Sequence, residues 1–303
     1  FNEDTNFRLR KGVVVEPVED FNIALSYVTK QIEYPRLNVD REKVIEDYKN
    51  YIKDLSKSGI FYATYAHMAN GIWSTSKEPT RGGAMGRAFN LNAETFYLNE
   101  RAGPRTISKG ELTHNREYSE EELWENFEYY IKAVKPTIEE SGVKIGIHPD
   151  DPPGIKLGGI PRCIFSTFSG YQRALEIADS PNIGICLCAG TWLEGGNTTE
   201  KNVTEMAKYF GDQKKLFKIH FRNVDKPLPH FKETFLDDGY MDMYKIIKVL
   251  KEVNFDGVII PDHNPTTVSY THLRAHETPE HRVWRLLVGK KKGGGGGGGG
   301  GGG

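Results

Sequence analysis

The sequence predicts an α/β protein built as a parallel barrel, with its site at the C-terminal ends of the strands. Three observations carry this. Strand-type and helix-type segments alternate throughout residues 38–262, the rhythm of successive βα units. Four short apolar runs, Val143-Lys144-Ile145-Gly146-Ile147-His148, Ile183-Gly184-Ile185-Cys186-Leu187-Cys188, Lys218-Ile219-His220 and Gly257-Val258-Ile259-Ile260-Pro261-Asp262, each deliver one metal-ligand type of side chain at or near the C-terminal end. Barrels place their active sites at those ends. No GxGxxG and no phosphate-binding loop follows any of the strands, so a nucleotide-binding sheet gets no support.

Residues 1–38 begin with a strand-like Gly12-Val13-Val14-Val15 and a connection punctuated by Pro17 and Pro35. Asn38 or Asp40 caps a helix over about 40–58, with Val44, Tyr48, Tyr51 and Leu55 at helical spacing and Gly59 ending it. Ile60 to Ala66 reads as a strand closing at His67. Residues 68–118 form a long polar insertion, of the kind that makes a lid in barrels. Ser119 and Glu122 form a capping box before a helix carrying Leu123, Phe127, Tyr130 and Val134, which Pro136 kinks or shortens. After the His148 strand, Pro149-Asp150-Asp151-Pro152-Pro153 is a rigid acidic turn. Ser169 and Gln172 suggest a second capping box, for a short helix with Ala174, Leu175 and Ile177. The Cys188 strand opens into Ala189-Gly190-Thr191-Trp192 and then a helix with Val203, Met206 and Phe210, stopped near Gly211. Residues 218–224 read as one strand, with Lys218, His220 and Arg222 on one face. Asp242 caps the next helix, where Met243, Ile247 and Leu250 line up.

A formal net charge of -1 makes neither nucleic acid nor a membrane surface an evident partner. No run approaches the roughly 18 apolar residues of a span. Neither an initiator Met nor a basic-then-apolar leader opens the chain, which predicts a fragment without a signal peptide. Three cysteines (Cys163, Cys186, Cys188) make no disulfide framework and suit a reducing, cytoplasmic setting. From about Thr267 no usable period remains, and three lysines lead into eleven glycines. Ordering glycine costs the most backbone entropy and brings nothing to bury. The division is therefore a catalytic domain over 1–266 and a non-native or disordered tail over 267–303. The competing expectation is that Val283, Trp284, Leu286, Leu287 and Val288 pack as a closing helix.

A single His or Cys at a strand end is more often packed than ligating; the recurrence in four successive strands makes the case. His148, Cys188, His220 and Asp262 together suit a first-row divalent ion, and donor softness allows Zn, Fe or Mn. Cys186 faces the same way as Cys188 but deeper, and reads as packing. Asp150 and Asp151 are acid/base groups or a solvated turn. Arg222 clamps a carboxylate or pairs with a neighbouring acid. His67 contacts substrate or is structural. Glu233, Asp237 and Asp238 either support the ligands from behind or cap a helix, and read best as capping groups.

These motifs resemble the mannonate dehydratase family. The resemblance rests on His148-Pro149-Asp150-Asp151-Pro152-Pro153, Cys188-Ala189-Gly190-Thr191, His220-Phe221-Arg222-Asn223-Val224 and Pro261-Asp262-His263. The run from Glu233 to Met243 and Arg81-Gly82-Gly83-Ala84-Met85-Gly86-Arg87 add to it. It covers about residues 38–266 and implies a xylose-isomerase-like (β/α)8 TIM barrel, here expected to be incomplete at the N-terminal end and without its closing helix. It further implies Mn2+ or Fe2+ held by His148, Cys188, His220 and Asp262, a small sugar-acid substrate, and dehydration of D-mannonate to 2-keto-3-deoxy-D-gluconate in hexuronate catabolism. Arg222 would help stabilise developing charge, and the acid and base would come from His263, His67, Asp150 or nearby tyrosines. Oligomeric state is open, a homo-oligomer included. Two alternatives stand beside this: a sugar isomerase or epimerase on the same barrel, and a non-catalytic sugar-acid-binding remnant.

Overall fold

Five apolar runs become strands of one parallel sheet: β1 (Tyr62–Ala66), β2 (Lys144–His148), β3 (Ile183–Cys188), β4 (Leu216–His220) and β5 (Val258–Ile260). The structure is a computed structural model that describes residues 41–99 and 105–266; the strand expected at 12–15 and the tail from 267 lie outside the described residues. Strand order in the sheet is the order in the chain. A doubly wound sheet would reverse its order at a switch point; uninterrupted succession is what a barrel wall requires. The register brings the strand ends level, with Ala66 opposite His148 and Cys188 opposite His220. Every residue of β3 and β4 is buried, as expected of parallel strands covered on both faces.

Helix α1 (Arg41–Lys57) buries Ile45, Tyr48, Ile52 and Leu55. Its buried face is thus rotated from the expected stripe, leaving Val44 and Tyr51 partly buried beside the core. Gly59 follows at φ 74°, where a side chain would be strained. Helix α2 (Glu120–Ser141) starts at the expected capping box, with both Ser119 and Glu122 contacts made. It also runs on past Pro136 to Ser141, because Val134, Thr137 and Ile138 keep burying the same face. Helix α3 (Phe168–Ala178) is capped by Thr167, which accepts from Gly170 N, not by Ser169. Ser169 instead donates to Glu200 at 2.7 Å, and burial of Phe168 and Tyr171 sets the earlier start.

Directly after β3 comes a short helix, α4 (Ala189–Gly195), that the sequence did not suggest; Cys188 is its N-cap. Helix α5 (Val203–Asp212) has an Asn202–Glu205 capping box. Helix α6 (Met243–Glu252) begins at Asp242 as expected but buries Ile246, while Ile247 is exposed. The strand expected over 218–224 stops at His220, and Asn223–Val224 pairs instead with His230–Thr234 in an antiparallel ladder.

That ladder ties in the insertion. Ala88–Asn90 pairs with His230–Thr234, and Ile72–Ser74, Thr95–Asn99 and Arg105–Ser108 form a three-stranded antiparallel sheet. Aromatic residues join the two: Trp73 meets Phe96 edge-on (5.5 Å), Phe96 stacks on Phe89 (5.6 Å) and Phe89 on Phe231 (5.8 Å). Much of the insertion is therefore a β-structured element with buried aromatics, not the polar loop its composition suggested.

Candidate metal centre and active site

His148, Cys188 and His220 end β2, β3 and β4, so the level register gathers their donor atoms within 4.8 Å of one another. The His148 Nδ1 lies 2.7 Å from the Pro149 carbonyl oxygen, which can only accept. That contact puts the proton on Nδ1 and leaves Nε2 as the lone-pair donor, the usual outer support of a ligating histidine. Cys188 Sγ receives Thr191 N (3.4 Å), Thr191 Oγ1 (3.2 Å) and Arg222 Nη2 (3.4 Å). Burial alone would raise this thiol; Arg222 and the two histidines outweigh it and hold it well below the usual thiol range. A thiolate beside two imidazoles, one of fixed tautomer, fits a first-row divalent ion.

Asp262 stands at the edge of this cluster, its backbone in the left-handed region at φ 61°. Its carboxylate lies 3.7 Å from His220 Nδ1, 3.6 Å from Arg222 Nε and 3.3 Å from His263 Nε2. The structure thus brings all four sequence-chosen ligands together, three in one group and Asp262 alongside. Burial would raise this carboxyl, but His220, His263 and Arg222 hold it down. Cys186, read as packing, is buried one step deeper in β3. Burial pulls His220 down, but Cys186 and Cys188 push it up to about 10.

Arg222 is 1% exposed, so it is not an open clamp. Its Nη1 donates to Glu194 Oε1 (2.6 Å) and Glu233 Oε1 (2.7 Å), and its Nη2 to Thr191 Oγ1 (2.9 Å) and Asp151 Oδ2 (3.3 Å). A second guanidinium, Arg87, comes from the insertion. It donates to Glu233 Oε1 (2.9 Å), Asp151 Oδ1 (2.9 Å) and Glu194 Oε1 (3.3 Å). Two arginines and three buried carboxyl groups therefore interlock directly behind the thiolate. Glu233, expected to cap, and Asp151, expected in a turn, both belong to this network.

Of the remaining candidates, His263 is half exposed at 48% and lies between Glu233 Oε2 (2.7 Å from Nδ1) and Asp262. Asp150 is buried, and burial raises its carboxyl to about 6, against the pull of Arg162 and His148. His67 is enclosed by Phe127 and hydrogen-bonded to the Tyr65 hydroxyl; burial pulls it down to about 3. The structure places His67 among these aromatic side chains of β1 and α2. Sequence reasoning missed two participants. Arg87 lies in a motif already singled out, but its role depends on how the insertion folds back. Glu194 gave no signal at all, since its helix was not anticipated.

A run of sequential parallel strands whose C-terminal ends gather imidazole and thiolate donors defines the class of α/β-barrel proteins with a metal centre in the barrel mouth. The model of the D-mannonate dehydratase (UxuA) family matches residues 100–279. The chain belongs to the D-mannonate dehydratase family. It is 32% identical over 242 residues to the mannonate dehydratase of Oceanobacillus iheyensis, covering 74% of this chain and 66% of that one. It is 34% identical over 239 residues to that of Streptococcus equi subsp. zooepidemicus, covering 74% and 64%. The crystal structure of mannonate dehydratase from Streptococcus suis serotype 2 superposes with a TM-score of 0.66 at 29% identity, covering 82% of this chain and 66% of that one. The fold is the (β/α)8 TIM barrel read from the sequence, and the described residues supply five of its strands. The chain spans just under two thirds of the length of these two sequence relatives. The family match reaches 279, past the boundary expected at 266. No helix among the described residues is long and apolar enough to cross a membrane.

Proposed function

We propose that this protein catalyses metal-dependent dehydration of D-mannonate to 2-keto-3-deoxy-D-gluconate, a step of hexuronate catabolism, in the cytoplasm. The observation that carries the proposal is the His148–Cys188–His220 cluster at the barrel mouth in a chain of this family. His148, Cys188 and His220, with Asp262 beside them, would hold Mn2+ or Fe2+. Bound there, the ion would supply Lewis-acid stabilisation of the charge that develops when a proton leaves the carbon next to a carboxylate.

The chain's own groups do the rest. Arg222 and Thr191 hold Cys188 as the thiolate and aim it. Glu233 and Asp262 flank the two ring nitrogens of His263, so this half-exposed imidazole can hold or release a proton at the mouth. Taking the proton from C2 and expelling the C3 hydroxyl removes one water and leaves the enol of the 2-keto acid. Asp150, with a carboxyl raised to about 6, is the second group suited to proton transfer near neutrality. Arg87, at 16% side-chain exposure, is the more accessible of the two network arginines and would be the one nearer to a bound sugar acid.

The test is turnover of an aldonate panel with added Mn2+ or Fe2+, by this chain and by a version extended to the length of its relatives. A 2-keto-3-deoxy acid from D-mannonate, detected colorimetrically, is the expected product. A product with the formula of the substrate would make it an isomerase or epimerase, and binding without turnover a sugar-acid-binding protein.

A further inference from the structure

Arg87 reaches the charged network because the chain around it lies on the run 230–238. Glu233 N donates to the Arg87 carbonyl oxygen at 2.8 Å. At Gly86 an added Cβ would come within 2.2 Å of the Glu233 carbonyl oxygen, so only glycine permits this close approach. Seating of residues 86–87 on Glu233 therefore sets what the Arg87 guanidinium can touch, Glu233 Oε1 and Asp151 Oδ1 among them.

Just upstream, Glu78–Pro79 pairs with Met85–Gly86 as a short antiparallel hairpin whose turn carries Arg81. Side chains fasten this hairpin to the same run. Arg81 donates Nη1 to Asp237 Oδ2 (3.0 Å) and Nη2 to Asp237 Oδ1 (2.8 Å), a bidentate geometry that fixes direction as well as distance. Thr80 Oγ1 donates to Asp238 Oδ2 at 3.4 Å, and the Arg81 guanidinium lies 5.1 Å from the centre of the Phe235 ring. Nearer the paired strands, His230 Nε2 lies 2.6 Å from Glu78 Oε1, and Lys232 Nζ donates to the Pro79 carbonyl oxygen at 2.8 Å. Asp237 and Asp238, expected as caps, thus hold the insertion, and Asp242 is the cap of α6.

The tip of the hairpin adds little to global stability. The Arg81 and Asp237 side chains are 52% and 72% exposed, and an exposed ion pair is screened and individually weak. A weak but directional pair can still bias a short hairpin between seated and lifted forms without being needed for folding.

We propose that Arg81 is a positioning residue: its ion pair with Asp237 holds the hairpin over residues 78–86 on the run 230–238, and so keeps Arg87 on Glu233 and Asp151. It acts through Arg87. Only the kinetic part of its test rests on the function proposed above.

The experiment compares the full chain with Arg81→Glu, and with Arg81→Glu combined with Asp237→Arg, which reverses the pair. Both positions are exposed, so melting temperatures should stay within about 4 °C of the parent. The first readout is amide hydrogen exchange of peptides covering 78–90 and 230–238. Arg81→Glu should speed this exchange about five-fold, and the reversed pair should return it to within about twofold of the parent. The second readout is steady-state turnover of D-mannonate with added Mn2+. Arg81→Glu should raise KM about five-fold and leave kcat within about twofold, and the reversed pair should recover the KM. Unchanged exchange in Arg81→Glu, or a reversed pair that restores nothing, overturns the proposal. Faster exchange with an unchanged KM also overturns it, because Arg81 would then hold the hairpin without positioning Arg87. A parent that turns over no aldonate refutes the proposed dehydration instead, and the exchange alone then decides the role of Arg81.

Discussion

Replacing Arg222 by methionine keeps much of the side chain's length and apolar stem while deleting one of two buried cations. Glu194, Glu233 and Asp151 each lose a charge-assisted donor, at 2.6, 2.7 and 3.3 Å. Removing one partner of a buried ion pair costs about 3–5 kcal/mol, because the other charge stays behind unpaired. Arg87 still reaches all three carboxyl groups, so the low end, about 3 kcal/mol, is expected. At about 2–4 °C per kcal/mol for a domain of this size, the melting temperature should fall by roughly 6–12 °C. Mn2+ affinity should fall with it, roughly 10–100-fold, since Cys188 loses the cation that favours its thiolate. Thermal melting and Mn2+ titration of the same preparations measure both. Arg87→Met combined with Arg222→Met should cost more than the two single changes added, because each arginine covers for the other. A midpoint within about 2 °C of the parent, with Mn2+ binding intact, would refute the argument that these acids depend on Arg222.

Cys188→Ala should abolish tight Mn2+ binding, whereas Cys186→Ala should leave it within about threefold; equal losses would mean that the deeper thiol is the ligand. Gly190→Ala should weaken Mn2+ binding several-fold without removing any charged group. Its Cβ would lie 2.7 Å from Arg222 Nε and 2.8 Å from its Cγ, so the guanidinium must shift, at about 1–3 kcal/mol of stability. A parent-like titration would show that the position of Arg222 is immaterial. Burial holds His67 at about 3 and, helped by Arg105, His114 at about 4, both below the ordinary value. The unfolded chain therefore takes up protons that the folded one refuses, and these groups lower stability as pH falls from about 6.5 towards 4, by up to about 1.4 kcal/mol per pH unit each. His67→Gln should flatten the decline of the urea midpoint between pH 6.5 and 5; an identical slope in both proteins would show that His67 is protonated in the fold.

Periodicity and strand-end chemistry are local properties, and they were legible in the chain. Strands at 144–148, 183–188 and 258–260 lie where apolar runs predicted them, and the Ser119 and Asp242 caps stand where their side chains can reach free backbone N–H groups. The same runs put His148, Cys188 and His220 at strand ends, and parallel register did the rest. Burial, in contrast, depends on partners distant in sequence. Which stripe of α1 faces inward was decided by the elements packed against it, not by the helix's own pattern. The insertion read as polar because its aromatics are spaced for a small antiparallel sheet, whose pairing with 230–234 no local pattern reveals. Arg222 carried two readings, and three carboxyl groups drawn from residues 151, 194 and 233 made it a buried ion-pair centre. The local pattern of ligand-type residues at successive strand ends therefore predicted a candidate metal site at a barrel mouth. Only the tertiary structure decided which charges meet behind it, because the cost of a buried charge depends on its neighbours in space.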